Sequence, residues 1–324
     1  MPDARTLALL GGVLLLLAAA AGAVRFLRSR TDSGLDAAVL QTLGHRVRFW
    51  FLLFLVLAGA FLLGRTATTV MFGLLAFWAL REFITLTPTR PGDHRTLFWV
   101  FFLIPLLQFV LVGLDCYELY SILIPVFAFL LLPAHIALAG DYKRFLERTA
   151  KIEAGLLICV YSLSFAPAML TLSLPGEDPY AGTRLLLFFL LIAQLGDAMQ
   201  YAWAQLPSKH VIVPTINPHR TWEGLLGGAG TVTLLGAALW WATPFSGHWW
   251  WMAGVMALVT ALMGFAGAIT MSAIKRDRGV KDYGTLVEGH GGLLDRIDSI
   301  CFAAPVFFFL TKFWLAWFGA GQTG

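Results

Sequence analysis

The chain has 324 residues, 58% of them hydrophobic and 13% charged. Soluble domains carry roughly 25% charged residues, so the composition excludes an ordinary soluble protein and points to a multi-pass membrane protein. The formal charge of +4 is too small and too dispersed for nucleic-acid binding.

Apolar runs long enough to cross a hydrocarbon core of about 30 Å are predicted at 6–24, 48–63, 67–86, 97–114, 119–140, 153–173, 183–201, 224–241, 248–270 and 300–318. The expected fold is all-α: a polytopic transmembrane helix bundle of about ten spans with a polar active site facing the cytosol. The first run has the apolar core of a signal peptide. A basic segment, RFLRSR, follows it without a clean cleavage site, so it reads as a retained helix. Gly64-Arg65 leaves almost no loop between the second and third runs, which predicts a tight hairpin. Cys116, Cys159 and Cys301 lie in or beside apolar runs without metal-site spacing and read as small hydrophobes. Trp249, Trp250 and Trp251 read as part of an interfacial aromatic belt.

Charge placement orients these runs. With loop 25–48 in the cytoplasm, nineteen Lys and Arg fall on the cytoplasmic side. Arg5, Arg65, Arg184 and Lys312 fall outside. That split follows the positive-inside rule and predicts a cytosolic location for 202–223 and 272–299.

Three polar segments stand out on that face. In QLGDAMQY, 194–201, Gln194, Asp197 and Tyr201 share a helix face, and an ionisable side chain at such depth is a functional candidate. In NPHRTWEG, 217–224, Asn217-Pro218 reads as a turn or helix start and Thr221 as the helix cap. Trp222 and Glu223 then fall in the first turn. The following LLGGAG permits close backbone approach, and Arg220 and Lys209 add positive charge. The third segment is SAIKRDRGVKDYGTLVEGHGGLLDRIDS, 272–299. Its first half is cationic and suits anionic headgroups. Its second half joins a glycine-rich turn to Asp295 and Asp298, with Asp282 upstream. Carboxylates beside cations at the mouth of a membrane bundle point to Mg2+ and phosphate chemistry.

The third segment resembles the signature of the phosphatidate cytidylyltransferases, the CDP-diacylglycerol synthases. The resemblance is carried by Ser272, Lys275, Arg276, Lys281, Asp282, Gly284, the run Gly289 to Gly292, Asp295, Arg296 and Asp298. Gly196, Asp197 and Tyr201 match an upstream block, and Asn217 to Gly224 match a Ser-Pro-Lys-Lys-Thr-Trp-Glu-Gly run. The resemblance covers about 190–300 and marks a divergent bacterial-type member. It divides the chain into a divergent amino-terminal region, 1–175, and a catalytic region, 176–324. The chain departs from the family at Asn217, His219, Arg220, Tyr283 and Glu288. Asn217, His219, Tyr283 and Glu288 are expected near the lipid headgroup.

The resemblance implies transfer of CMP from CTP to phosphatidate, giving CDP-diacylglycerol and pyrophosphate at the cytoplasmic face of a bacterial inner membrane. Asp197, Asp282, Asp295 and Asp298 are the implied metal ligands, for Mg2+ with or without a second cation. Lys275, Arg276, Lys281 and Arg296 are the implied phosphate-binding cations. Asn217, Arg220, Thr221, Glu223, His290, Gly291 and Gly292 are the implied substrate contacts. The implied partners are CTP, phosphatidate or a related lipid phosphate, membrane lipids and a second copy in a homodimer. The competing readings are a cytidylyltransferase for another lipid phosphate, a CTP-dependent lipid-alcohol kinase, and a non-enzymatic lipid transporter.

Overall fold

The computed structural model describes all residues except 1–3, 30–50, 53, 87–89, 175–177, 179, 207–209, 246–248, 285–290 and 319–324. Among the described residues, each predicted run coincides at least in part with a helix. These are α1 (Ala4–Ser29), α2 (Phe54–Leu63), α3 (Arg65–Thr85), α4 (His94–Gly113), α5 (Tyr117–Leu138) and α6 (Phe145–Thr171), followed by α7 (Ala181–Trp203), α8 (Trp222–Ala238), α9 (Trp250–Asp277) and α10 (Leu294–Phe318). Seven of them, all but α1, α2 and α8, are long and apolar enough to cross a membrane. The architecture is the expected all-α polytopic bundle, and the chain is a multi-pass membrane protein. It divides into two compact units, residues 1–68 and 69–324. The boundary expected at 175/176 lies inside the second unit, which carries all the candidate site residues.

Within the second unit, α6, α7 and α10 meet at Phe165, Phe188, Phe189, Phe307 and Phe308, all fully buried. Ring centroids lie 5.0 Å apart for Phe189–Phe307 and 5.1 Å for Phe165–Phe308. Helices in lipid associate through close packing rather than water exclusion, so small residues at the contact matter. A Cβ on Gly227 would lie 2.4 Å from the Trp203 ring, and one on Gly228 2.6 Å from Gln200. The close approach predicted for LLGGAG is therefore that of α7 against α8.

Helices α4, α5 and α6 each contain a π-helical stretch, at Trp99–Leu103, Leu123–Ala128 and Leu156–Ser162. Pro125 lies inside the second and has no N–H to offer the Ser121 carbonyl. That carbonyl instead accepts from the Tyr161 hydroxyl at 3.1 Å. In the first turn of α6, Arg148 is buried between Asp93 and Asp141, at 3.3 and 2.9 Å, and Arg90 reaches Asp141 at 3.2 Å.

Two local features differ from the sequence reading or sharpen it. Asn217-Pro218 starts neither a turn nor a helix. It begins strand β2 (Asn217–Thr221), which pairs antiparallel with β1 (Val211–Val213), Val211 opposite Thr221 and Val213 opposite Asn217. The β-branched Val-Ile-Val run favours a strand. A two-stranded ribbon leaves one edge of each strand unpaired, which tolerates Pro218. At the end of α9, the Gly279 N–H donates to the Arg276 carbonyl and the Val280 N–H to that of Lys275, both at 3.0 Å. Gly279 has φ +69°, the left-handed conformation of a helix-terminating turn. This turn sends the chain from Lys275 and Arg276 directly to Asp282.

Candidate active site

Five helix ends supply the site: the C-terminal ends of α3, α7 and α9 and the N-terminal ends of α8 and α10. The first cluster is built on Asp295, in the first turn of α10. Its Oδ1 accepts from Lys275 Nζ on α9 at 2.7 Å. Its Oδ2 accepts the N–H groups of Tyr283 and Gly292, at 2.8 and 3.0 Å. Both charged side chains are mostly buried. Gly291 has φ +85°, and a Cβ there would lie 2.9 Å from Asp295 Oδ2 and 3.1 Å from Asp282 Oδ1. Two carboxylates thus converge on a cradle that only glycine leaves open. Arg276 and Lys281 are exposed at its rim, and Arg276 donates to the Ile216 carbonyl at 3.2 Å.

The second cluster joins α7 to β2 and α10. Arg220 donates to Gln200 Oε1 at 2.6 Å and to Asp197 Oδ1 at 3.4 Å, with its guanidinium 5.7 Å from the Phe265 ring centroid. Asp298, half-buried on α10, lies within electrostatic range of Asp197, Arg220 and Lys275. Gln194 donates to the Arg296 carbonyl at 3.3 Å, so the predicted Gln194–Asp197 face does look toward α10.

Elsewhere the predicted residues order the framework. The Thr221 hydroxyl accepts the Gly224 N–H at 3.1 Å, capping α8 as expected. Glu223 accepts from the His210 ring at 2.6 Å and from the His210 N–H at 3.1 Å, which fixes the residue leading into β1. Asn217 donates to the Ser272 hydroxyl at 3.1 Å and accepts the His219 N–H, tying β2 to α9. Tyr283, expected near the headgroup, is 3% exposed. Its hydroxyl donates to the Met271 carbonyl at 3.0 Å, and its ring stacks on Phe83 at 6.1 Å. It is a packing residue because the loop end folds under α9. Lys209, Glu288, Gly289 and His290 lie outside the described residues.

One site residue escaped the sequence reading. Glu82, on α3, is 5% exposed, and its carboxylate accepts the N–H groups of Leu293 and Leu294 at 2.9 and 2.8 Å. The Trp78 indole donates to it at 3.1 Å. An acidic residue inside a mostly apolar run, next to Arg81, was the available signal.

Among the described residues, no group of three or more His, Cys, Asp or Glu is placed to hold a metal alone. The four aspartates named from the sequence fall into two pairs, Asp282 with Asp295 and Asp197 with Asp298. Mg2+ is commonly held by one or two carboxylates together with water and substrate phosphates. The cradle at Gly291 fits that donor set, with Lys275 keeping its charge in check.

The profile of the Cytidylyltransferase family matches residues 44–314, so the likeness extends well beyond the 190–300 segment and into the amino-terminal half. The chain is 38% identical over 272 residues to "Uncharacterized protein YnbB" of Escherichia coli, covering 83% of this chain and 87% of that one. It is 30% identical over 193 residues to a protein of Staphylococcus aureus named phosphatidate cytidylyltransferase, covering 55% of this chain and 73% of that one. A Haemophilus influenzae protein of the same name is 33% identical over 139 residues, covering 40% and 46%. With most of its length matched, and with the matched segment containing both carboxylate pairs, the chain belongs to the cytidylyltransferase family.

Proposed function

We propose that this protein transfers CMP from CTP to phosphatidate, forming CDP-diacylglycerol and pyrophosphate at the cytosolic face of the membrane. The observation that carries the reading is the convergence of two carboxylate pairs with Lys275 and Arg220 at the ends of five helices. Relatives named phosphatidate cytidylyltransferase support the choice of acceptor.

In this reaction an oxygen of the lipid phosphate attacks the α-phosphorus of CTP. The bond from that phosphorus to the oxygen bridging the α- and β-phosphates breaks, and pyrophosphate leaves. The nucleophile is already an anion, so no general base is required. The barrier lies in bringing two polyanions together and in stabilising charge on the leaving group. Lys275 and Arg220 are held by Asp295 and by Gln200 with Asp197, so both cations are positioned before substrate arrives. Arg276 and Lys281, exposed at the rim, meet incoming phosphates first, and Arg296 supplies a further cation at the start of α10. Mg2+, held by Asp282 and Asp295 or by Asp197 and Asp298, would neutralise phosphate oxygens and stabilise the leaving group. The acyl chains remain against apolar helix surface, while the reacting phosphate lies at the interface.

The test is one assay on the full chain in lipid nanodiscs, with labelled CTP and Mg2+. Phosphatidate, lysophosphatidate, a polyprenyl phosphate and a neutral lipid alcohol are offered separately. CDP-lipid and pyrophosphate formed fastest from phosphatidate is the expected result. A phosphorylated alcohol with release of CDP would replace the proposal with a lipid kinase. No turnover of any acceptor would reject catalysis on these substrates.

A further inference from the structure

The signature loop between α9 and α10 is held at both ends by a helix that lies some 200 residues earlier in the chain. Glu82 Oε1 accepts the Leu293 N–H and the Trp78 indole N–H, and Oε2 accepts the Leu294 N–H. All three partners are donors, so the carboxylate is matched on both oxygens. Its position also accounts for two glycines. A Cβ on Gly292 would lie 2.4 Å from Glu82 Oε2, and one on Gly284 2.8 Å from Oε1. The carboxylate therefore lies between the two ends of the loop. The next residue of α3, Phe83, stacks on Tyr283, whose N–H donates to Asp295.

We infer that Glu82 is a positioning residue of the active site: it fixes the 284–294 loop ends so that Asp282 and Asp295 converge at Gly291. The chain of contacts is short. Leu294 precedes Asp295 directly, and the Gly292 N–H that donates to Asp295 belongs to a residue lying against Glu82. A shift of about 1 Å in such a constellation costs on the order of a hundredfold in rate. Gly284 and Gly292 thus make room for a carboxylate of the protein itself, rather than for an arriving nucleotide. The effect on turnover rests on the proposed cytidylyl transfer, whereas the hold on the loop does not.

The experiment compares the full-length wild type with Glu82→Gln in nanodiscs. Glutamine keeps the volume but replaces one acceptor oxygen with an NH2 group, so one of the Leu293 and Leu294 amides faces a donor. Hydrogen exchange is measured first, without substrate or metal. Peptides covering 291–296 are expected to exchange at least tenfold faster in the variant, and those covering 225–238 at the wild-type rate. Turnover of the folded protein is then expected to fall about thirtyfold. The Mg2+ concentration for half-maximal rate should rise severalfold, and KM for the lipid should hold. Wild-type exchange at 291–296 would overturn the inference. So would a lowered melting temperature with wild-type kcat and wild-type Mg2+ titration, since that is the signature of a plain structural cap. If Glu82→Gln does not fold, Glu82→Asp is read by the same measurements. It keeps the charge but withdraws it by one methylene, and wild-type exchange and kcat there would equally overturn the role. A wild type that makes no CDP-lipid would reject the proposed function, while the exchange comparison would still decide whether Glu82 holds the loop.

Discussion

Lys275 on α9 and Asp295 on α10 form a mostly buried ion pair at 2.7 Å, and the same carboxylate accepts two backbone N–H groups. Asp295→Asn keeps the shape but turns one acceptor into a donor facing those groups. The expected loss of turnover is at least a hundredfold, comparable to removing a charge-stabilising group. Breaking one side of a buried pair also costs about 3 kcal/mol, so the melting temperature should fall. Lys275→Met should show both effects. The double variant should be less destabilised than the sum, because the partners act as one unit. Purified variants assayed for pyrophosphate release and thermal unfolding check this.

Gly291→Ala places a methyl group where two carboxylates converge and asks a non-glycine residue to hold φ +85°. The conformational penalty alone is about 1–2 kcal/mol. The larger effect is displacement of Asp282 or Asp295, with an expected rate loss of about a hundredfold. A titration of rate against Mg2+ should show the half-saturation point moved upward. Wild-type kinetics in this variant would remove the cradle from the mechanism.

Arg220→Lys retains the charge but loses the planar fork that reaches Gln200 and Asp197 together. A loss of about tenfold in kcat/KM for CTP is expected, with a larger loss in Arg220→Met. Equal activity in all three proteins would make Arg220 a packing residue.

The Asp93–Arg148–Asp141 network lies outside the site and tests stability alone. Arg148→Met leaves Asp93, which is 0% exposed, without its cation, and should cost about 3–5 kcal/mol. Burial pushes the Asp141 carboxyl upward, but the Lys143 N–H and the Arg90 and Arg148 guanidinium groups outweigh it and hold it below its ordinary range. Stability from this depressed carboxyl is present above the ordinary carboxylate pKa and is lost as pH falls through the folded value. Thermal unfolding of the wild type and Asp141→Asn from pH 7 to about pH 3 should show the difference between them shrinking in acid.

The orientation is tested with single cysteines in a background lacking Cys116, Cys159 and Cys301. Asp277 is exposed at the end of α9 and Glu118 at the start of α5. Asp277→Cys should react with an impermeant thiol reagent only after the cells are opened, and Glu118→Cys should react from outside. The reverse pattern would place the site away from the cytosolic nucleotide pool.

The spans were legible because length and apolarity suffice to announce a helix in lipid. Thr221 was legible as a cap because capping is local. The β2 strand was not, since Asn-Pro opens turns and helices as readily as a strand, and its partner Val211–Val213 reads as loop until it is paired. Tyr283 looked like a headgroup contact because it departs from the family pattern, yet its burial is decided by Phe83 and Met271 from other helices. The glycines after Trp222 announced close packing without naming the neighbour, Trp203. Glu82 was the largest omission. Its two backbone partners lie 211 and 212 residues away, and no spacing rule reaches that far.

That separation sets an order of events during biosynthesis. The ribosome releases α3 long before it makes Leu293 and Leu294, so the carboxylate must enter the bilayer before its two backbone donors exist. Closing so long a loop adds little entropy, since each doubling of length costs about 0.6 kcal/mol. Timing, rather than length, is the constraint. Chains that stop short of α10 leave this carboxylate with the Trp78 indole but without its two backbone donors. Formation of α10 both supplies those two donors and brings Asp295 to Lys275, so the site is assembled only after residues 293–298 have been made.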